Sequence, residues 1–244
     1  MLRVTVNTKG GGGKTTTSTH VLAYLLYQGS PINVVEIDNN NVSSIFHNSE
    51  ILASKSITTD QKELRRALSE AVFDPAQEYI IDAGGGDDSL AVIREVIALG
   101  EEVEFYIPIQ PDRKTLHNVK ETVQAIGKDY PIHLILNNFY PGERETAFWF
   151  IFGDQDNGFE PNLAILRQFN SVISVPHSRT IGQAEAFGKT VGDVALAEKR
   201  LNFAAAKAEA RAQGLDAFDA LLKEHNRGLD AIDFLDSIKV EKRK

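Results

Sequence analysis

Short apolar runs alternate with longer stretches of helical spacing along most of this chain. Residues 2–6, 32–37, 79–81, 103–107, 132–136 and 172–175 are strand-length and apolar, several with no polar alternation. That pattern predicts strands covered on both faces. Between them, residues 15–27, 61–72, 89–99, 114–126 and 161–169 carry apolar positions at helical spacing. Such alternation implies right-handed crossovers and a mostly parallel sheet, an α/β fold. Ligand sites in sheets of this kind lie beyond the carboxyl ends of the strands. From residue 195 the strand pattern stops. Residues 195–213, 215–224 and 228–240 read as helices, the first rich in alanine. The expected organisation is an α/β domain over 1–195, with a helical C-terminal extension, 196–244, packed on it or projecting from it.

One junction in this pattern carries chemistry. Directly after the first run comes Thr8-Lys9-Gly10-Gly11-Gly12-Gly13-Lys14-Thr15-Thr16. Consecutive glycines reach dihedrals closed to other residues and bring backbone N–H groups against phosphate oxygens. Gly10, Gly11, Gly12, Gly13, Lys14, Thr15 and Thr16 are therefore the candidate nucleotide-binding residues. Lys14 supplies a point charge for the β- and γ-phosphates, and the Thr15 hydroxyl is placed to ligate Mg2+. The helix that follows adds the positive end of its dipole. The general P-loop pattern wants Gly where Thr8 stands; the variant Lys-Gly-Gly-x-Gly-Lys-Thr matches at every place. A merely flexible turn would need neither the preceding strand nor the apolar helix of Val21, Leu22, Leu25 and Leu26.

Two further strands end in acids. Val34-Val35-Glu36-Ile37-Asp38 puts Asp38 at a strand terminus, where Asn39, Asn40 and Asn41 would otherwise suggest a plain turn. Glu78-Tyr79-Ile80-Ile81-Asp82 has the form of a Walker B strand that delivers a carboxylate toward the metal. Ala83-Gly84-Gly85-Gly86 follows it, either a mobile switch or a tight turn.

The variant loop resembles that of the ParA/MinD family, the deviant Walker A P-loop ATPases, over roughly residues 1–195. The resemblance implies a three-layer P-loop NTPase fold and slow, partner-stimulated hydrolysis of ATP with Mg2+. It also implies an ATP-dependent homodimer. Lys9, the extra lysine, then reaches across the dimer to the partner's nucleotide. Asp38 matches the switch-one acid that orients the attacking water and helps hold hydrated Mg2+, and it stands 24 residues after Lys14, a separation typical of the family. Catalysis would rest on Lys9, Lys14 and Asp38, and metal binding on Thr15, Asp38 and Asp82. Asn137, or next Asn138, resembles the residue that hydrogen-bonds adenine, and Pro176 opens a loop that flanks the base. Glu185-Ala186-Phe187-Gly188-Lys189 is similar to a later run near the dimer face. The implied task is partition of plasmid or chromosomal DNA, with an accessory role in conjugative transfer as the alternative.

Composition narrows the rest. There is no cysteine, which fits a reducing cytoplasm and excludes an iron–sulfur carrier; the resemblance adds nucleoid association. The chain enters a strand at once, leaving no room for a signal peptide, and no apolar run approaches the ~18 residues of a transmembrane helix. The six histidines have no metal-site spacing. Net charge is −8, but residues 199–244 carry ten Lys/Arg against eight Asp/Glu. That tail is either a solvated helical face or a sequence-independent DNA contact through Lys199, Arg200, Lys207 and Arg211, with residues 239–244 as a second group. A MinD-like membrane helix is disfavoured by Asp230, Asp233 and Asp236 beside the stripe of Leu229, Ile232, Leu235 and Ile238. A tyrosine kinase would carry a C-terminal Tyr cluster, and the last Tyr is Tyr140. A non-hydrolysing ATP-binding adaptor is the remaining class. Phe148-Trp149-Phe150-Ile151-Phe152 is a core segment or, if exposed, a docking patch.

Overall fold

The computed structural model describes residues 1–37, 46–58, 60–74 and 77–243. Eight strands form one sheet: β1 (Leu2–Thr5), β2 (Ile32–Ile37), β3 (Leu52–Ile57), β4 (Tyr79–Ala83), β5 (Val103–Ile109), β6 (Ile132–Phe139), β7 (Ser171–Pro176) and β8 (Lys239–Lys242). Their order is β3-β2-β4-β1-β5-β6-β7-β8. Every pairing is parallel except β7 with β8. β1 lies between β4 and β5, so the loop that follows it opens where the strand order reverses, the usual ligand crevice of such sheets.

The helices are α1 (Lys14–Thr16), α2 (Ala23–Leu26), α3 (Gln61–Phe73), α4 (Asp87–Leu99), α5 (Thr115–Ile126), α6 (Arg144–Ala147), α7 (Trp149–Phe152), α8 (Leu163–Leu166), α9 (Arg179–Glu185), α10 (Val191–Arg200), α11 (Phe203–Gln213) and α12 (Leu215–Ser237). A π-helical turn, Thr17–Leu22, joins α1 to α2. One apolar core packs α3, α4, α5, α7 and α8 on one sheet face. A second packs the α1–α2 helix, α9, α10 and α12 on the other. This explains the unbroken apolar runs: all six residues of β7 are buried.

The structure departs from the sequence expectation at four places. β3 reads Leu-Ala-Ser-Lys-Ser-Ile, an edge strand whose polar positions face solvent, so its apolar signal is weak. Residues 195–213 form two helices, broken at Leu201 and Asn202, where the Asn202 side chain accepts from Ala205 N and caps α11. Residues 215–237 form one helix through Gly228, where a Cβ would lie 2.6 Å from Glu198 Cβ on α10. Close helix crossing, not helix breaking, explains that glycine. Finally, residues 239–242 leave the helix and pair antiparallel with β7 as a charged, exposed edge strand.

The aromatic segment belongs to the core. Phe148 is fully buried, with Phe150 and Ile151 nearly so, and Trp149 and Phe152 pack against them. Phe148→Ala is expected to destabilise the fold by about 3–5 kcal/mol in urea unfolding. Phe159, 46% exposed, should tolerate the same change with little loss. Equal effects at both positions would contradict this packing.

Candidate functional site

β1 leads directly into the glycine loop. Gly11 and Gly13 take φ of 72° and 90°, the left-handed region that glycine reaches without strain. At Gly13 a Cβ would run into the Asn137 side-chain amide. The loop is pinned to β5: Asn7 Nδ2 donates to the Pro108 carbonyl at 2.7 Å, and Asn7 Oδ1 accepts from Lys9 N at 2.9 Å. Lys14 is buried, and its Nζ donates to the carbonyls of Lys9 and Asn7 at 3.2 and 3.4 Å. Its charge is thus folded under the loop where phosphates would sit.

Asp82, on β4, is the buried acid of this site. Ser18 Oγ lies 3.2 Å from its Oδ1 and 2.9 Å from Thr5 Oγ1. Burial pushes the Asp82 carboxyl up to about 7, against the opposing help of a Thr15 hydrogen bond and the Lys14 charge. Glu36 is its register partner on β2 and raises it further; Ser56 Oγ donates to Glu36 Oε2 at 2.9 Å. A dry carboxylate beside a threonine hydroxyl is a hard-oxygen donor set that suits Mg2+. Among the described residues no cluster of three His, Asp or Glu side chains could hold a metal alone. That fits a cation shared between few protein oxygens and a nucleotide's phosphates.

These groups open onto a cleft of about 630 Å³, within the size range of small-ligand sites. Gly11, Gly13, Lys14, Thr15, Thr16, Glu36, Asp82, Gly84 and Gly85 line it, with Asn137, Asn138, Pro176, His177 and Ser178. Asn138 holds a φ of 63°, the one such non-glycine residue described, and its Oδ1 lies 2.8 Å from His177 Nδ1. The Gly84–Gly86 turn is tied down rather than loose: Gly84 N donates to Ile37 O at 2.6 Å and Gly86 N to Thr8 O at 2.8 Å.

Not every candidate points into the cleft. Gly12 packs against Pro108 O and Asn7, and Gly10 abuts Gly85. Lys9 turns outward to Asp112, Nζ to Oδ2 at 2.7 Å, and this hydrogen bond holds the Asp112 carboxyl below its usual range. Asp38 lies outside the described residues. Two contributors were not among the candidate site residues read from sequence: His177 and His20. His20 is fully buried; its Nδ1 accepts from Val191 N and its Nε2 faces Glu185, both at 3.1 Å. It bolts the loop's helix to α9 and α10. Glu36 reaches the site because parallel β2 and β4 put it in register with Asp82.

Residues 4–150 match the CobQ/CobB/MinD/ParA nucleotide-binding domain, more than half of the chain, and the chain belongs to that family. No curated protein matches it significantly in sequence. Among solved structures it resembles a McdA variant from Cyanothece in complex with ATP, at 14% identity and TM-score 0.50 over 96% of each chain. Apo McdA from the same source gives 14% identity and TM-score 0.53 over 78% of this chain and 90% of that one. MinD in a MinC:MinD cell division complex from Aquifex aeolicus gives 13% identity and TM-score 0.52 over 93% and 95%. The fold is thus that of ParA/MinD P-loop proteins.

Asp82 makes a pH-dependent contribution of definite sign. Its folded pKa of about 7 exceeds the ~3.9 of an unfolded Asp. The fold therefore loses stability as pH rises from about 4 to about 7 and the buried carboxyl ionises. Asp82→Asn keeps an acceptor for Ser18 without the charge. In buffer free of metal and nucleotide it should raise Tm by several degrees at pH 8, with the gain shrinking toward pH 4. A gain that is flat across pH, or a lower Tm at pH 8, would contradict the buried charge.

Proposed function

We propose that this chain is a Mg2+-dependent ATP hydrolase that works as a nucleotide-switched dimer in partition or positioning of plasmid or chromosomal DNA. The observation that carries the reading is one cleft lined by Lys14, Thr15 and Asp82 together with Asn137 and Pro176. Lys14 and the loop N–H groups hold the β- and γ-phosphates. Asn137 hydrogen-bonds adenine and Pro176 flanks it. Thr15 and Asp82, with Asp38, would hold Mg2+, which neutralises charge on the β- and γ-phosphate oxygens when bound. Asp38 orients a water whose oxygen bonds the γ-phosphorus as the bond to the β–γ bridging oxygen breaks, giving ADP and phosphate.

Lys9 serves the second subunit. Lys14 already fills the loop's own cationic role, and Lys9 is held at the rim by Asp112. An ion pair this exposed is weak, so exchanging Asp112 for a partner's γ-phosphate is easy. The neighbours' ATP complex and their two-protein assembly support a nucleotide and a stimulating partner protein for this chain too.

A DNA scaffold is favoured over a membrane. No helix among the described residues is long and apolar enough to cross a bilayer. Much of the α12 stripe is spent on packing, with Phe234, Leu235 and Ala231 in the core, while Leu229 remains exposed. Of the tail cations, Lys199, Arg200 and Arg211 are exposed and Lys207 is half-buried, so DNA contact there is sterically open. Arg200 is engaged with Glu50 at 2.8 Å and Arg211 stacks over Phe218, so that contact would draw on both.

Lys14→Ala should abolish ATP binding in a calorimetric titration. Lys9→Ala should bind ATP normally yet lose ~10³-fold in phosphate release, the scale of a cation supplied in trans. In sedimentation, ATP should convert the Asp38→Ala protein from monomer to dimer. An unchanged monomer, or full turnover by Lys9→Ala, would remove the trans role. Normal turnover by Asp38→Ala would remove that residue from the chemistry.

A further inference from the structure

The sheet ends in two different edges. β3 offers a single charged side chain, Lys55. β8 reads Lys239-Val240-Glu241-Lys242, with every residue exposed. Backbone hydrogen bonds fix which of its groups face inward. His177 N, just past β7, donates to Phe139 O on β6 at 2.7 Å. The odd-numbered backbone groups of β7 therefore serve β6, and the even-numbered ones are left for β8. Arg243 N accordingly donates to Asn170 O at 2.9 Å. In the antiparallel register Val172↔Glu241 and Ser174↔Lys239, residues 239, 241 and 243 turn their N–H and C=O groups toward β7. Val240 and Lys242 turn theirs outward, off the edge of the sheet. Val240, 50% exposed, lies beside Ile173 on the face that α12 covers. Lys239 and Glu241 lie on the opposite face, where Arg144 contacts both Glu241 and Ser174. Lys239 forms no ion pair among the described residues.

We propose that β8 pairs antiparallel with β8 of a second copy of this chain, about a twofold axis at Val240. An open edge is a template for another strand, and charge normally guards it. Here the charges alternate in a way that selects one register. With Val240 opposite Val240, their outward N–H and C=O groups bond reciprocally, and each Lys242 N–H meets the Ile238 carbonyl of the second copy. Lys239 then faces Glu241 on both sides of the axis. Each Glu241 sits between Arg144 of its own chain and Lys239 of the other. Opposite charges directly across a strand pair stabilise it, and like charges oppose it. An axis at Glu241 would set two glutamates face to face and Lys239 against Arg243. An axis at Lys242 would oppose two lysines. The contact is isologous, the self-complementary form that a twofold axis requires. β8 takes no part in the cleft, so this pairing is additional to the nucleotide-switched dimer proposed above. A strand this short buries far less than the ~1,200 Å² of stable complexes. Free monomers therefore stay apart at micromolar concentration, where the nucleotide alone decides the dimer, and the edges meet only where copies are crowded together.

Two measurements on the full chain, without nucleotide, test the pairing. The chain has no cysteine, so Val240→Cys introduces its only thiol. At high protein concentration, mild oxidation should join Val240→Cys into a disulfide dimer, because Cα atoms paired across such strands lie about 5.5 Å apart. Glu241→Cys, off the axis, should cross-link about tenfold more slowly. In sedimentation equilibrium the wild type should be monomeric at about 10 µM and shift toward dimer at about 1 mM, the range of an interface this small. Lys239→Glu and Glu241→Lys should each stay monomeric at both concentrations, since each sets like charges across the pair. An equimolar mixture of those two variants should dimerise as wild type does, since opposite charges then face each other at both positions. That recovery also shows that each variant is folded. The proposal is overturned if the wild type stays monomeric at the higher concentration, or if either single variant associates as wild type does. It is equally overturned if the mixture fails to associate, or if Glu241→Cys cross-links as fast as Val240→Cys.

Discussion

A carboxylate held dry at the end of β4 constrains everything around it. Asp82 sits in the middle of the sheet, and burial alone would keep it protonated near neutral pH. The surrounding residues answer that cost in part. Ser18 and Thr15 offer hydroxyls, and Lys14 offers charge. To place Lys14 and Thr15 there, the chain must leave β1 and enter a helix within one tight turn, and only a glycine loop can make it. The same closeness forbids a side chain at Gly13, where Asn137 lies, and leaves Gly85 packed against Gly10. The π-helical turn after the loop buries Ser18 toward Asp82 and His20 toward Glu185 in adjacent stretches of one helix. π-turns of this kind are often found at functional sites.

The cleft couples to its surroundings through few contacts. His20 ties the loop's helix to α9 and α10, and α9 follows the segment Pro176-His177-Ser178 that lines the cleft. Asp193 ties α10 to the start of β3, accepting from Ser49 Oγ and Glu50 N at 2.7 Å each. Packed and hydrogen-bonded elements thus run without a break from the loop's helix to the C-terminal helices.

Much of this was legible in the sequence because its information is local. The phosphate loop is contiguous, and the strand runs that flank it are apolar because both sheet faces are covered, so the Asp82 strand could be placed by pattern alone. What escaped was set by distance or by context. The polar edge strand β3 and the charged β8 lack the apolar signal that betrays a central strand. The C-terminal stripe of Ile and Leu at helical spacing ran on into β8 without a break in pattern. Gly228 read as the start of a separate helix, whereas it serves a crossing with Glu198 that no local rule anticipates. Glu36 meeting Asp82, and Lys9 meeting Asp112, depend on strand order and on partners far along the chain. The Asp38 switch lies outside the described residues, so its geometry adds nothing to the sequence reading.

The central claim is that a metal-bound nucleotide relieves the charge stored on Asp82. Titration calorimetry of ADP at pH 7, with Mg2+ and then with EDTA, in two buffers of different ionisation enthalpy, tests it most directly. Binding should depend on Mg2+. It should release protons, since burial raises the Asp82 carboxyl to about 7 and the group must ionise to serve the cation. Binding of equal strength in EDTA, with no proton released in either buffer, would contradict the account.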